Sequence, residues 1–417
     1  MVGGRAADII GRRRIFTLGL ALFTGSSLAA GLAPVAGMLI AARAVQGLGA
    51  ALLSPATLTI LVTDLSGRRQ RRAIGAWASM SGVGGGLGVF LGGLMTQELS
   101  WRWIFIINVP VGVVVLATGW AVLGKDTATS RIRDLDVPGA LTLTAGMLAF
   151  TYALMQAGVS SWTAALTIGS IAVALVMFAV FGRIESRSAR PALVPLGKLR
   201  GPVTVPVNLT VLLLFCVVNA PWFLLSYYMQ TVLGFGPLRA GFCFLPQAAV
   251  IALTSNIGSR IAARRGARVL LTAGPALAVA GLLLMWWTAR GADQSYPAAV
   301  LGPLILLGLA IGCTLPSAAL IAAADAEPGG GGLASALLNS SRQFGGALGL
   351  AILFTTGTQH GGGLHAIPTG YPTAALTGAG LAFLALLAAL ATARALMPGR
   401  TRRSPRSRQA ALGSRGP

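Results

Sequence analysis

Long apolar stretches alternate with short polar segments from one end of the chain to the other. Twelve stretches contain about 20 or more mostly apolar residues, and a helix of roughly 20 residues spans the hydrocarbon core of a bilayer. The pattern therefore predicts an all-α polytopic membrane protein. The stretches cover approximately residues 15–33, 36–62, 74–97, 103–123, 137–156, 163–182, 204–230, 240–258, 269–289, 298–322, 333–357 and 372–396.

Composition agrees with this prediction, because 55% of the residues are hydrophobic and only 10% are charged. The net charge of +22 raises the possibility of a nucleic-acid partner, but the placement of the basic residues argues against it. They concentrate in alternate segments, whereas the segments between carry only Arg102, Arg239 and Arg290. By the positive-inside rule, the basic segments and both termini are expected in the cytoplasm.

Several short similarities recur along the chain at a nearly constant separation. Gly11 and Arg13 recur as Gly266 and Arg268, and Gly47 recurs as Gly308. Parallel repeats of this size are typical of transporters with two like-built halves. We expect an N-terminal bundle at 1–123 with four spans, an inserted two-span linker at 124–203, a six-span bundle at 204–396 and a disordered basic cytoplasmic tail at 397–417.

Glycine- and arginine-rich motifs mark three places in the first half. A hairpin contains Gly4, Ala7, Asp8, Gly11, Arg12 and Arg13; the next span contains Arg43, Gln46, Gly47, Gly49, Ala50 and Ala51; and a later span contains Gly84, Gly88, Gly92 and Gly93. On these motifs the chain resembles the fourteen-span drug:proton antiporter family of the major facilitator superfamily. By symmetry with the second half, two further spans are expected before Gly4.

The resemblance implies conformational roles for the hairpin and for the glycine stripe. Asp8, beside arginines, should stay ionised because nearby cations favour the charged form. With Gly4, Gly11, Arg12 and Arg13 it is expected to form a conformational latch. The glycine stripe is expected to form a tight, bendable helix interface that gates one side of the transporter. Its members are Gly84, Gly88, Gly92 and Gly93. The alternatives are a solvated loop acid and simple helix packing.

Arg43 is the most prominent charged residue inside a predicted span. A central arginine costs about 2.5–3.5 kcal/mol to insert, so it should meet a cavity or a partner. Gln46 follows on the same helix face, and the resemblance implies a role in proton transfer. The alternative is that Arg43 extends to the outer headgroups. No acid lies near the middle of a span, and Glu98, at an outer end, is the marginal candidate for a proton site.

Amides and aromatic side chains mark two later spans as candidates for a substrate cavity. A mostly apolar pocket with aromatics and a few amides suits lipophilic, often cationic compounds. An aromatic belt at the membrane surface and interhelical hydrogen bonds are the alternatives. The candidates are Asn208, Asn219, Trp222, Tyr227, Gln230, Asn339, Arg342 and Gln343.

The predicted function is proton-driven efflux of small lipophilic compounds by alternating access in the bacterial inner membrane. The expected partners are the lipid bilayer, the substrate and protons, and a monomer is expected. No phosphate loop, zinc-protease helix or nucleophile elbow indicates an enzyme, and neither a cofactor nor a metal site is expected. The alternatives are a metabolite exporter or uniporter that is not coupled to protons, and an inactive truncated transporter.

Overall fold

The computed structural model describes residues 11–63, 69, 84, 87–122, 137–160, 162–187, 201–290, 296–325, 331–358 and 367–396. Within these ranges the chain forms helices and turns, and ten helical segments are long and apolar enough to cross a membrane. The all-helical prediction is thus confirmed. The helices are α1 (Arg12–Gly31), α2 (Ala36–Thr63), α3 (87–98), α4 (Trp103–Ile106), α5 (Asn108–Val122), α6 (Val137–Val159), α7 (Ala165–Arg187), α8 (Thr204–Thr231), α9 (Pro237–Cys243), α10 (Leu245–Arg265), α11 (Ala267–Thr288), α12 (Gly302–Asp325), α13 (Gly331–Thr358) and α14 (Ile367–Ala395).

Two predicted spans are interrupted in the structure. The stretch predicted at 103–123 is divided between α4 and α5, with Ile107 between them. The stretch predicted at 240–258 runs through the end of α9 into α10, and Phe244 separates the two helices. Pro246 lies in the first turn of α10, where its missing N–H costs no helical hydrogen bond. Hydropathy alone could not place these breaks because both sides of each are equally apolar.

Glycines allow α1 and α2 to cross with their backbones in close contact. A Cβ atom added to Gly49 would lie 2.8 Å from the Gly19 carbonyl oxygen and 2.7 Å from the Phe23 nitrogen. No larger residue fits there without separating the helices. The same α1 also packs on α5, where Gly112 lies against the Thr24 hydroxyl.

The second half repeats this crossing in α11 and α12. Gly274 follows Gly266 at the spacing by which Gly19 follows Gly11, and a Cβ atom on Gly274 would lie 2.8 Å from the Ala310 carbonyl oxygen. Ala310 in turn follows Gly308 as Gly49 follows Gly47. The two helix pairs therefore cross at equivalent positions, which supports the internal repeat inferred from the sequence.

Helix α8 is the centre of the second half. Leu214, Leu224, Leu225 and Met229 on α8 are all buried. The helix contacts α12, α13 and α14, and the buried apolar cluster around it draws on those helices together with α10 and α11. This cluster forms the core of the C-terminal bundle.

Helices α6 and α7 pack on each other as a pair. Phe178 of α7 lies against Gly146, where an added Cβ atom would be 2.8 Å from the ring, and its ring centroid is 6.4 Å from that of Phe150. The pair also contacts the C-terminal bundle, because the Thr355 hydroxyl of α13 donates to the Leu154 carbonyl oxygen of α6 at 3.0 Å.

Candidate functional site

Gly11 of the hairpin motif has a backbone conformation that favours glycine. Gly11 has φ 113° and ψ 135° immediately before α1, a region that residues with a side chain rarely adopt. Gly4, Asp8 and the Arg12 side chain lie outside the described residues, so the latch assigned to them stays a prediction.

Arg13 links the start of α1 to the end of α5. Its Nη2 donates to the Trp120 carbonyl oxygen at 2.7 Å, and its guanidinium carbon lies 4.9 Å from the centre of the Trp120 ring. A cation at a helix C-terminus is stabilised by the negative end of the helix dipole. Arg13 thus ties the hairpin to a helix of its own half.

Arg43 and Gln46 meet directly, as their spacing on α2 predicts. The Arg43 Nη1 donates to Gln46 Oε1 at 2.6 Å, and Gln46 Nε2 donates to Ser27 Oγ on α1 at 2.5 Å. Gln46 and Ser27 are buried, whereas Arg43 is exposed and its guanidinium carbon lies 5.6 Å from the centre of the Phe105 ring. We name the chain Ser27–Gln46–Arg43 the polar link.

Glu98 does not join the polar link. It is exposed at the C-terminal end of α3, where its Oε1 accepts a hydrogen bond from Gln97 Nε2 at 3.2 Å. Among the described residues no direct contact connects Glu98 with Arg43. Its proposed part in proton coupling stays a prediction without geometric support.

The members of the glycine stripe differ in how closely other helices approach them. Gly84 and Gly88 are exposed, and a Cβ atom on either would meet no described residue within 4 Å. A Cβ atom on Gly92 would touch Ile104 at 4.0 Å. Gly93 is the member in close contact, because it lies directly against the Pro237 carbonyl oxygen of α9. Gly84 and Gly88 have no close neighbour among the described residues, and the gating interface assigned to them stays a prediction.

The contact between α3 and α9 joins the two halves. Gln97 Oε1 accepts a hydrogen bond from the Leu238 amide at 3.2 Å, and the rings of Phe90 and Phe242 lie with their centroids 4.6 Å apart. A Cβ atom on Gly241 would lie 3.1 Å from the Val89 carbonyl oxygen. The backbone of Val89, within the glycine stripe, therefore packs against the other half. Gln97 belongs to no motif of the sequence, so this contact was not predicted.

Asn208 belongs to a series of hydrogen bonds at one end of α8. Its Oδ1 accepts from the Ser341 hydroxyl of α13 at 3.1 Å, and its Nδ2 donates to the Thr204 carbonyl oxygen at 2.8 Å. The Thr204 hydroxyl donates to Asp325 Oδ2 at 3.0 Å. Asn208 thus connects α8 with α13, and its place in a substrate cavity stays a prediction.

Arg342 lies on α13 near α8. Its guanidinium carbon is 5.9 Å from the centre of the Phe215 ring, which is within the range of a cation–π contact. Asn339 and Gln343 on the same helix are exposed. The glycines that follow let α13 approach α8, since Gly345 and Gly349 lie directly against the Leu212 and Cys216 carbonyl oxygens.

The candidates on α8 do not form one cluster. Asn219 is exposed and lies next to Gly346, whereas Trp222 packs with Phe244 at a centroid distance of 6.2 Å. Gln230 donates to Ser226 of its own helix. Tyr227 is half-buried against the core.

Two buried features were missed by the sequence analysis. Tyr228 of α8 stacks on Tyr371 of α14 with centroids 5.1 Å apart. Gln247 is buried between α10 and Gly308 of α12, and neither end of its amide has a hydrogen-bond partner in the described part of the chain. Both features depend on contacts between distant helices, which spacing along the chain does not reveal.

A cavity of about 330 Å³ lies where α10, α11, α12 and α14 meet. Asp325 is its charged member, and Ala262, Ala267 and Leu320 are among the apolar ones. None of the predicted substrate residues lines it.

Ten apolar helices, a repeated helix crossing and a charged side chain inside a span are together typical of a polytopic membrane transporter. Residues 1–350 match the model of the Major Facilitator Superfamily. The chain is 37% identical over 363 residues to a puromycin resistance protein of Streptomyces alboniger, covering 86% of this chain and 71% of that protein. It is 38% identical over 363 residues to a cephamycin export protein of Amycolatopsis lactamdurans, covering 85% and 73%.

Solved structures show the same fold. A crystal structure of the peptide transporter POT in complex with sulfate matches with a TM-score of 0.66 at 14% identity, covering 94% of this chain and 83% of that one. This protein belongs to the major facilitator superfamily. It is a multi-pass membrane transporter whose relatives include antibiotic resistance and export proteins.

Proposed function

We propose that this protein exports small lipophilic or cationic compounds across the bacterial inner membrane by proton antiport and alternating access. The direction of transport follows from relatives that are named for antibiotic resistance or export. We further assign the chain to the fourteen-span branch, with α6 and α7 as the inserted pair.

The polar link carries the proposal of proton coupling. A guanidinium in a membrane-spanning helix is costly and marks a functional site by default. Here Arg43 is held by a hydrogen bond to the buried Gln46, in a helix that is otherwise apolar. A fixed cation of this kind can favour the deprotonated form of an acidic group that comes near it. Such a cation would thereby promote proton release.

Export should depend on the proton gradient. Cells that lack their own drug pumps and express this protein are loaded with puromycin, and its efflux is measured at external pH 6 and pH 8, with and without a protonophore. We expect faster efflux at pH 6 and its loss with the protonophore. Efflux that does not change with external pH or with the protonophore would favour the uncoupled exporter. An absence of efflux from correctly inserted protein would favour the inactive transporter.

Arg43→Ala should abolish this efflux while the protein remains in the membrane. Arg102→Ala is the matched control, because Arg102 also lies near the outer end of α1 and donates to the Ala33 carbonyl oxygen at 3.4 Å, but takes no part in the polar link. Equal efflux from the two variants would remove Arg43 from the mechanism.

The proposed orientation places both termini in the cytoplasm. A cysteine that replaces Arg69 should react with a membrane-impermeant reagent only after the cells are opened. A cysteine that replaces Arg290, in a predicted external segment, should react in intact cells. The reverse pattern would overturn the orientation.

The proposed substrate cavity involves α8 and α13. Arg342 and the exposed Asn219, Asn339 and Gln343 supply polar groups on these two helices. We expect Arg342→Gln to change the ranking of exported compounds by charge, measured as the ratio of puromycin to ethidium efflux. An unchanged ratio would place the substrate elsewhere.

A further inference from the structure

We propose that Ser27 is a positioning residue for Arg43 and that it acts through Gln46. The inference deepens the proposed proton-coupled export and rests on it. Ser27 takes no part in any motif of the sequence.

The hydrogen bonds of the polar link have a defined direction. Gln46 Nε2 donates to Ser27 Oγ at 2.5 Å, and Gln46 Oε1 accepts from Arg43 Nη1 at 2.6 Å. A glutamine amide has an accepting end and a donating end. Because Arg43 can only donate, it takes the accepting end of the amide, and the Ser27 oxygen then satisfies the donating end.

Burial makes this orientation depend on Ser27. Ser27 is 0% exposed and Gln46 is 4% exposed, so water does not replace either partner. Without the serine oxygen the amide nitrogen would be buried and unpaired, which is costly. The amide would then turn to find another partner, and Arg43 would lose its aligned acceptor.

The helix crossing brings Ser27 within reach of Gln46. Gly19, Phe23 and Ser27 follow one another by one turn on the same side of α1. Gly19 and Phe23 lie directly against Gly49 of α2. Ser27 therefore lies opposite Gln46, one turn before Gly49.

The second half of the protein is an internal control. The residue that corresponds to Ser27 by the spacing of the repeat is Leu282, and those that correspond to Gln46 and Arg43 are Leu307 and Leu304. All three leucines are 0% exposed. Apolar side chains thus fill these three positions at the equivalent crossing, and the polar set in the first half is not required by the packing.

Among the described residues, the helices that pack around the polar link carry few other charges. Helix α5 and the short α4 contain no charged residue, and α1 carries its arginines at the opposite end. Arg102, just before α4, donates to the Ala33 carbonyl oxygen. Arg43 is therefore the cation that Ser27 can position.

The experiment compares Ser27→Ala with Ser26→Ala. Ser26 is also buried, but its hydroxyl donates to the Leu22 and Phe23 carbonyl oxygens of its own helix. We expect Ser27→Ala to lower proton-driven puromycin efflux about tenfold, the effect of losing one hydrogen bond to a polar or charged group, and to shift its dependence on external pH. Ser26→Ala should behave as wild type.

Two further variants separate positioning from packing. Ser27→Thr keeps the accepting oxygen and should restore most of the efflux and the wild-type pH profile. Ser27→Ala combined with Gln46→Ala should be no worse than Gln46→Ala alone, because Ser27 acts through that amide.

Each outcome decides one of the two proposals. If wild-type efflux depends on the proton gradient and Ser27→Ala matches Ser26→Ala in rate and pH profile, the inference about Ser27 is overturned and the proposed function stands. If wild-type efflux ignores the gradient, the proposed function fails and the role of Ser27 in coupling fails with it. Additive losses from Ser27→Ala and Gln46→Ala would also overturn the inference.

Discussion

Gly11 and Gly266 hold nearly the same backbone conformation at corresponding ends of the two halves. Gly11 has φ 113° and ψ 135°, and Gly266 has φ 92° and ψ 134°. Each is the residue immediately before a helix, α1 in the first half and α11 in the second. Because the sequence repeat pairs these two glycines, their shared conformation is independent support for that repeat.

Gly11→Ala and Gly266→Ala should each destabilise the protein. An alanine held in such a sparsely populated positive-φ conformation costs about 1–3 kcal/mol. The measurement is thermal unfolding of the purified protein in detergent. Gly25→Ala is the control, because Gly25 lies within α1 with open space around it, and alanine favours a helix. Equal melting temperatures for the three variants would contradict the assignment.

Cysteines in place of Phe90 and Phe242 should cross-link the two halves. Their rings are 4.6 Å apart, and a Cβ atom on the neighbouring Gly241 would lie 3.3 Å from Phe90 Cα. In a background without Cys216, Cys243 and Cys313, we expect oxidation to join the pair and stop efflux, and a reductant to restore it.

The single variants Phe90→Cys and Phe242→Cys are the controls for that experiment, and neither should respond to the oxidant. Efflux that continues in the cross-linked protein would show that α3 and α9 do not separate during transport.

Gly349→Leu should prevent the close contact of α8 and α13. Gly349 lies directly against the Cys216 carbonyl oxygen, so a side chain there would force the two backbones apart. Overpacking of a core typically costs about 1–3 kcal/mol, and contact with backbone leaves less room to adjust. Membrane levels of the variant should fall well below those of Gly380→Leu, whose site on α14 is open.

Tyr296 should make stability depend on alkaline pH. Its hydroxyl donates to the Cys243 carbonyl oxygen at 2.9 Å, and burial, followed by the nearby Cys243, raises its pKa to about 12. Because the folded-state pKa lies above the usual value of 10, this contribution is complete below pH 10 and is lost as the pH rises toward 12. Tyr296→Phe should therefore show a smaller fall in melting temperature between pH 10 and pH 12. A fall equal to that of wild type would contradict this.

The all-helical fold could be predicted from the sequence because each membrane span is a continuous run of about 20 apolar residues. Breaks inside spans, such as Phe244, could not, because they depend on tertiary contacts between equally apolar segments. Hydropathy also could not predict the end of α10, because the helix continues beyond its apolar stretch, which ends near residue 258, as far as Arg265 in the basic hairpin.

The candidate site was predictable where partners lie on one helix. Arg43 and Gln46 are three residues apart, so helix geometry already brings them together. Ser27 and Gln97 could not be found in this way, because their partners are on other helices. Asn208 was predicted as a substrate contact, and its bond to Ser341 on α13 indicates a role between helices.

The close approach of α8 and α13 has a consequence for how the C-terminal bundle can move. Carbonyl oxygens of one helix lie directly against glycines of the other, with no side chains between them to absorb a displacement. Sliding would drive backbone into backbone. These two helices should therefore move together as one rigid unit. The conformational changes of a transport cycle should occur instead at contacts made by side chains, where aromatic rings can separate and pack again.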